Sequence, residues 1–236
     1  MSEASGGALD AVLLDAFGTL LFLEPPGPRL ATELERRLGV GVSEHAAARA
    51  FGLEIAYYLE HHLEGRDTAS LAELRDRCAE IVRSALGLPE AARAGVRAAL
   101  LASIRFAPDA TARAALTELR AAGVRLAVAS NWDCSLPEVL DAVGVGELID
   151  AVVPSASVGA AKPDPRLFAA ALAAVNARPA RAVHVGDSLE HDVAGARAAG
   201  LRAVLVSPGG QAPGPALGVS VVHSLGELPS LLLGGR

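Results

Sequence analysis

The chain has 236 residues, half of them hydrophobic, and a formal net charge of −6, so it can bury a full core without disulfide or metal staples. A pI near 5.5 gives nucleic acid no basic surface to bind. No apolar run reaches the roughly 18 residues of a membrane span, and Cys78 and Cys134 have neither metal-ligand spacing nor the number for a disulfide framework. The chain is therefore expected to be a cytoplasmic protein with no nucleic-acid or membrane partner.

Residues 1–7 hold no basic segment followed by an apolar one, which predicts a short frayed tail rather than a signal peptide. Ala11-Val12-Leu13-Leu14 is a short apolar run that predicts a buried strand, ending in the loop Asp15-Ala16-Phe17-Gly18-Thr19. After Pro25-Pro26-Gly27-Pro28 come helical patterns at 29–38, 43–64, 70–86 and 90–104, with no strand among them. Asp109 is placed to cap a helix running to about Ala122, with Gly123 as its left-handed stop. A strand over 124–129 follows. Ser135 and Glu138 then have capping-box spacing, with Pro137 in the first turn.

A strand is predicted over 149–153, and Asp164-Pro165 opens a helix to about Val175. Strands over 182–185, 203–206 and 219–222 complete the set, with a helix closed by Gly200 and a Pro- and Gly-rich loop over 207–218. Val-rich strands alternating with helices predict an α/β fold: a Rossmann-like parallel sheet with helices on both faces. That core takes residues 1–23 and 106–236. The strand-free stretch 24–105 is an inserted all-helical cap.

Ligands of open α/β sheets bind beyond the carboxyl ends of the strands. Four such ends carry polar residues here: Asp15 to Thr19, Ser130-Asn131, Lys162, and Asp187 with Asp192. Lys162 is the only lysine beside twenty arginines, and a compact ammonium serves where one point charge must fit a tight space. Each piece has a plain alternative. Asp15 could simply exit a strand, Ser130-Asn131 could turn the chain, Asp187 with Glu190 could cap a helix, and Lys162 could be solvated. Together, in order and at strand ends, they supply a carboxylate nucleophile, anion-holding donors and oxygen ligands for a divalent cation.

The set resembles the four motifs of the haloacid dehalogenase-like hydrolase superfamily. Asp15, Gly18 and Thr19 match its first motif, Ser130 its second, Lys162 in Lys-Pro-Asp-Pro its third, and Asp187 with Asp192 its fourth. The helical insertion is similar to that superfamily's first-type cap. Ser-Asn-Trp-Asp at 130–133 and His-Val-Gly-Asp-Ser at 184–188 look like the REG-2-like branch.

The resemblance implies a phosphatase of a small phosphorylated metabolite, working through an aspartyl-phosphate on Asp15. Its Mg²⁺ would be held by Asp15, the Phe17 main-chain carbonyl, Asp187 and Asp192, the last directly or through water. Ser130, Lys162, Thr19 and the Asn131 main chain would face the phosphoryl group. Oligomeric state is not implied.

One position departs from the pattern. Phe17 stands where family phosphatases carry an acid that protonates the leaving group, and such help contributes about 10²–10⁴-fold. Asp133, Glu190, His191, Tyr57, Tyr58, His61 and His62 are alternative proton donors. Two other readings stay open: a metal-independent 2-haloacid dehalogenase, which the aromatic at 17 suits and Asp187 does not, and a catalytically silent relative binding a phosphorylated ligand. His184, inside a strand, is expected to be structural. Trp132 is expected to shape or cover the pocket floor.

Overall fold

The computed structural model describes residues 9–208 and 218–234; the expected N-terminal tail and most of the 207–218 loop lie outside them. By their internal contacts the described residues fall into two compact units. One comprises the chain up to Phe22, Pro108–Asn131 and the chain from Ser135; the other comprises Leu23–Ala107 with Trp132–Cys134.

The first unit is an α/β sheet structure. Its strands are β1 (Ala11–Leu14), β4 (Arg125–Ser130), β5 (Ala151–Pro154), β6 (Ala182–Gly186), β7 (Arg202–Val206) and β8 (Ser220–Val222). They form one sheet in the order β5-β4-β1-β6-β7-β8, and every pairing is parallel. β1 is buried along its whole length, as expected of a central strand covered on both faces.

Helices α5 (Ala112–Ala121), α6 (Leu136–Ala142), α7 (Ser155–Val158), α8 (Pro165–Ala174) and α9 (Gly195–Ala198) lie between the strands, and α10 (Leu228–Leu233) follows the last of them. α8 shows why its sequence folds this way. Asp164 accepts a cap bond from the Arg166 amide, Pro165 opens the first turn, and Leu167, Phe168, Ala171 and Leu172 repeat at helical spacing toward the sheet.

The second unit packs α1 (Pro26–Leu38), α2 (Glu44–His61), α3 (Thr68–Ala85) and α4 (Arg93–Ser103). Their buried faces meet in one cluster around Leu30, Leu34, Phe51, Leu74, Val96 and Leu100. Each fully buried leucine there contributes about 1.5–3 kcal/mol. Ser43 caps α2, and Asp67 with Ser70 forms a capping box for α3.

Two short strands that the sequence pattern does not announce, β2 (Leu21–Leu23) and β3 (Phe106–Pro108), lie at either end of the strand-free stretch 24–105 and form a separate two-stranded sheet. Several local expectations are corrected. Ser135 precedes α6 but its side chain makes no capping bond, so the Ser135–Glu138 box does not form. Asp109 sits too early to cap α5; its carboxylate instead accepts from the Thr111 amide and hydroxyl in a local turn. The 132–134 segment groups with the helical unit, where Trp132 packs against Phe106 with ring centroids 5.2 Å apart.

Candidate active site

The sheet order reverses at β1. β4 lies on one side, with Val128 in register with Leu14, and β6 on the other, with Val185 in register with Leu14. Asp15 therefore leaves the sheet between two neighbouring strand ends, the switch point where α/β folds place ligands. Its amide N–H donates to the Val185 carbonyl at 2.8 Å, which fixes the direction of exit. β4 ends on Ser130 and β6 on Gly186, so Ser130 and Asp187 emerge on either side of Asp15.

The side chains interlock. The Ser130 hydroxyl donates to Asp15 Oδ1 at 2.9 Å, and the Lys162 ammonium donates to the same oxygen. Lys162 also donates to Asp192 Oδ1 at 2.6 Å. Two donors on one oxygen fix the rotation of the Asp15 carboxylate. All four groups are buried, with Lys162 only 4% exposed; an ammonium is tolerated there because two carboxylates compensate it.

Lys162 is placed by Asn131. The Asn131 carboxamide accepts from the Lys162 amide at 2.7 Å and donates to the Lys162 carbonyl at 3.1 Å. The side chain of Asn131 thus serves to place Lys162. Thr19 joins this network through no hydrogen bond: it is fully buried and its hydroxyl meets no partner.

The fourth strand end adds the remaining carboxylates. Asp187 follows β6 and is exposed, whereas Asp192 is buried in a π-helical turn over Leu189–Ala194. Ser188, not Asp187, caps that turn by accepting from the His191 amide. Asp192 Oδ2 accepts from the Ser188 amide at 2.9 Å, and its Oδ1 accepts from His184 Nε2 at 2.8 Å. His184 therefore touches the site, although its place inside the apolar strand β6 gave it only a structural expectation. The available signal was its polarity at a fully buried strand position.

Electrostatics separates the three carboxylates. Burial pushes Asp15 up; Lys162 opposes this, while Asp192 and Asp187 push the same way. Asp187 reaches solvent, yet the protein on its other side desolvates the carboxyl enough to raise it, assisted by Asp192. Asp192 goes the other way: against its burial, Lys162 and His184 hold it well below the ordinary carboxylate range. Burial alone would pull Lys162 down, but Asp15 and Asp192 outweigh it and keep the ammonium charged.

Asp15, Asp187 and Asp192 each offer an oxygen, all within 4.8 Å of one another. A set of carboxylates exceeding its single ammonium partner is chemically suited to a hard divalent cation such as Mg²⁺. The backbone supports this fit. Gly18 has φ +85°, and a Cβ there would overlap the Asp187 carboxylate, so the 15–19 loop and Asp187 lie in close contact only because residue 18 is glycine. The Phe17 carbonyl comes from this same loop, closed by the Leu20 and Leu21 amides donating to the Ala16 carbonyl at 2.8 Å.

The candidate proton donors belong to both units. The Phe17 side chain is 49% exposed. Glu190 and His191 are exposed in the turn after Asp187, and His191 is near enough to lower Asp187. In the helical unit, the Tyr58 hydroxyl donates to Asp133 at 2.8 Å, and burial raises that phenol well above its ordinary value. Tyr57 stacks on His61 with centroids 3.9 Å apart and accepts from Arg77. His62 is buried with Nδ1 on the Leu59 carbonyl, and burial lowers it.

The chain is similar to known proteins. A family model described as haloacid dehalogenase-like hydrolase matches residues 9–200. The chain is 42% identical over 123 residues to bovine haloacid dehalogenase-like hydrolase domain-containing protein 3, covering 51% of this chain and 49% of that one. It thus spans about half the length of that relative. Similarity to the phosphoserine phosphatase of Thermus thermophilus is longer: 36% identity over 220 residues, 84% of this chain and 88% of that one. Among solved structures, the L-2-haloacid dehalogenase of Xanthobacter autotrophicus is similar with a TM-score of 0.66 and 26% identity, covering 97% of this chain and 100% of that one. No helix among the described residues is long and apolar enough to cross a membrane.

Proposed function

Because the chain belongs to the haloacid dehalogenase-like hydrolase family, we propose that it is a Mg²⁺-dependent phosphatase of a small phosphorylated molecule, with Asp15 as nucleophile. The observation that carries this reading is the grouping of Asp15, Asp187 and Asp192 oxygens within 4.8 Å, with Lys162 bridging Asp15 and Asp192. A nucleophile held beside one ammonium and two further carboxylates suits an anionic substrate only when a cation is also supplied. The similarity to a phosphoserine phosphatase over most of both chains supports the phosphatase class.

In this reading an Asp15 carboxylate oxygen attacks phosphorus, and the bond from phosphorus to the leaving oxygen breaks with its electron pair on that oxygen. Water then attacks the aspartyl-phosphate at phosphorus, releasing phosphate and restoring the carboxylate. Ser130 and Lys162 hold Asp15 in one rotation, and with the Asn131 main chain they stabilise charge on the phosphoryl oxygens. Asp15, the Phe17 carbonyl and Asp187 would hold Mg²⁺, with Asp192 acting directly or through water. The cation would neutralise the phosphoryl oxygens and offset the repulsion between substrate and carboxylates. Phe17 cannot transfer a proton, so acyl and aryl phosphates, whose leaving groups depart without one, are the favoured substrates.

A second reading, 2-haloacid dehalogenation, is favoured by Phe17, since halide leaves unprotonated, and by the likeness to the Xanthobacter enzyme. Asp187 argues against it, because a carboxylate there would repel a haloacid unless a cation intervened. The test is product release from an aryl phosphate and from 2-chloropropionate, each with Mg²⁺ and with EDTA. Phosphate release abolished by EDTA, and weakened in Asp187→Asn, is expected. Chloride release indifferent to EDTA would establish the dehalogenase instead.

A further inference from the structure

We propose that His184 is a positioning residue: its Nε2–H holds Asp192, and Asp192 in turn holds the Lys162 ammonium against Asp15. The proposal rests on reading Asp15 and Lys162 as the working pair.

His184 lies in the middle of β6, between Leu13 of β1 and Ala203 of β7, and is fully buried. The rest of that strand is Ala, Val and Gly, and packing alone would be met by another aliphatic side chain without burying a polar ring. The ring stands edge-on to Phe168, with centroids 5.0 Å apart and planes at 88°. Its Nε2 lies 2.8 Å from Asp192 Oδ1, while its Nδ1 meets no partner. A carboxylate can only accept, so Nε2 carries the proton and Nδ1 is bare.

Asp192 is thereby held from three sides: Lys162 and His184 on Oδ1, the Ser188 amide on Oδ2. Gly186 leaves room for this, since a Cβ there would overlap the Asp192 carboxylate. The consequence falls on Lys162, whose flexible four-carbon stem does not place a point charge by itself. Without the His184 bond Asp192 loses a donor that fixes its rotation, and the ammonium loses its second anchor.

Lys162 is the only lysine of the chain, so protein grown on lysine with a labelled Nζ gives one side-chain ammonium resonance, a direct readout that needs no catalysis. His184→Leu removes the donor at similar volume, and His184→Gln restores an amide N–H near the Nε2 position. Wild type and H184Q are expected to show a slowly exchanging, ion-paired Lys162 signal; in H184L the signal should broaden or move to the position of a solvated lysine.

On an aryl phosphate with Mg²⁺, H184L should lower kcat about tenfold with little change in KM, within the range of a lost hydrogen bond to a charged group, while H184Q stays near wild type. An unchanged Lys162 signal and kcat in H184L would overturn the proposal. So would H184Q falling as far as H184L while folded, which would make the ring's packing the relevant property. Should H184L not fold, His184→Asn, whose amide is too short to reach Oδ1, replaces it; unfolding of both would make His184 a folding residue and end the proposal. Asp15→Asn separates the two claims: turnover surviving in D15N refutes the nucleophile, while the resonance still reports on His184.

Discussion

Replacing Glu54 by glutamine should stabilise the helical unit at alkaline pH and leave it nearly unchanged in acid. Glu54 sits on the buried face of α2, 4% exposed; its Oε2 has no partner, and the Cys78 thiol of α3 is the side chain that hydrogen-bonds it. Burial pushes its carboxyl from 4.5 up to about 7. The folded state therefore binds the proton more tightly than the unfolded chain. Its contribution to stability is fully present below about pH 4.5 and is lost as pH rises through about 7.

A tenfold difference in proton affinity between the folded and unfolded chain is worth about 1.4 kcal/mol, so by pH 8 the buried carboxylate costs about 3 kcal/mol. Glutamine keeps the shape and cannot ionise. Urea unfolding should show Glu54→Gln more stable than wild type by up to about 3 kcal/mol at pH 8 and by under about 1 kcal/mol at pH 5. An equal gap at both pH values, or no gap at pH 8, would refute the argument from buried ionisation.

Three further substitutions probe the site. Asn131→Ala removes both bonds to the Lys162 backbone and should cost about 1–3 kcal/mol in denaturant unfolding, with phosphate release falling in parallel; full activity would mean that Lys162 is placed by other contacts. Phe17→Asp should accelerate hydrolysis of alkyl phosphates, by up to about 10²-fold, far more than of aryl phosphates. No difference between the two substrates would show that a missing acid does not limit the rate. Gly18→Ala forces a side chain onto a φ of +85° and into Asp187; it should cost about 1–3 kcal/mol and blunt the response of activity to Mg²⁺.

What the sequence made legible follows from the range of the forces involved. The inner strands β1 and β6 are buried along their whole length and read as short apolar runs, and α8 announces itself through Asp164-Pro165. The four polar strand ends could be expected to converge because a parallel sheet brings all its carboxyl ends to one edge. Harder to read were features decided by tertiary contact. β2 and β3 have three residues each, too few for an alternating pattern, and β3 ends in proline. The capping spacing of Ser135 and Glu138 was present without the bond.

Asn131 pointed to a turn or an anion-holding main chain, yet its side chain is spent on a residue 31 positions away. The 132–134 segment follows Asn131 directly in sequence but packs with the helices, where Asp133 accepts from Tyr58. His184 lay inside an apolar strand, and only the fold brings Asp192 to its Nε2.

The most direct test of the account is a search for the covalent intermediate. Wild-type protein turning over an aryl phosphate with Mg²⁺ is quenched in acid, digested and examined by mass spectrometry. A phosphoryl group is expected on the peptide containing Asp15, absent with EDTA and absent in Asp15→Asn, which also releases no phosphate. Phosphate release at the wild-type rate by D15N, or a phosphoryl group on any other residue, would contradict it.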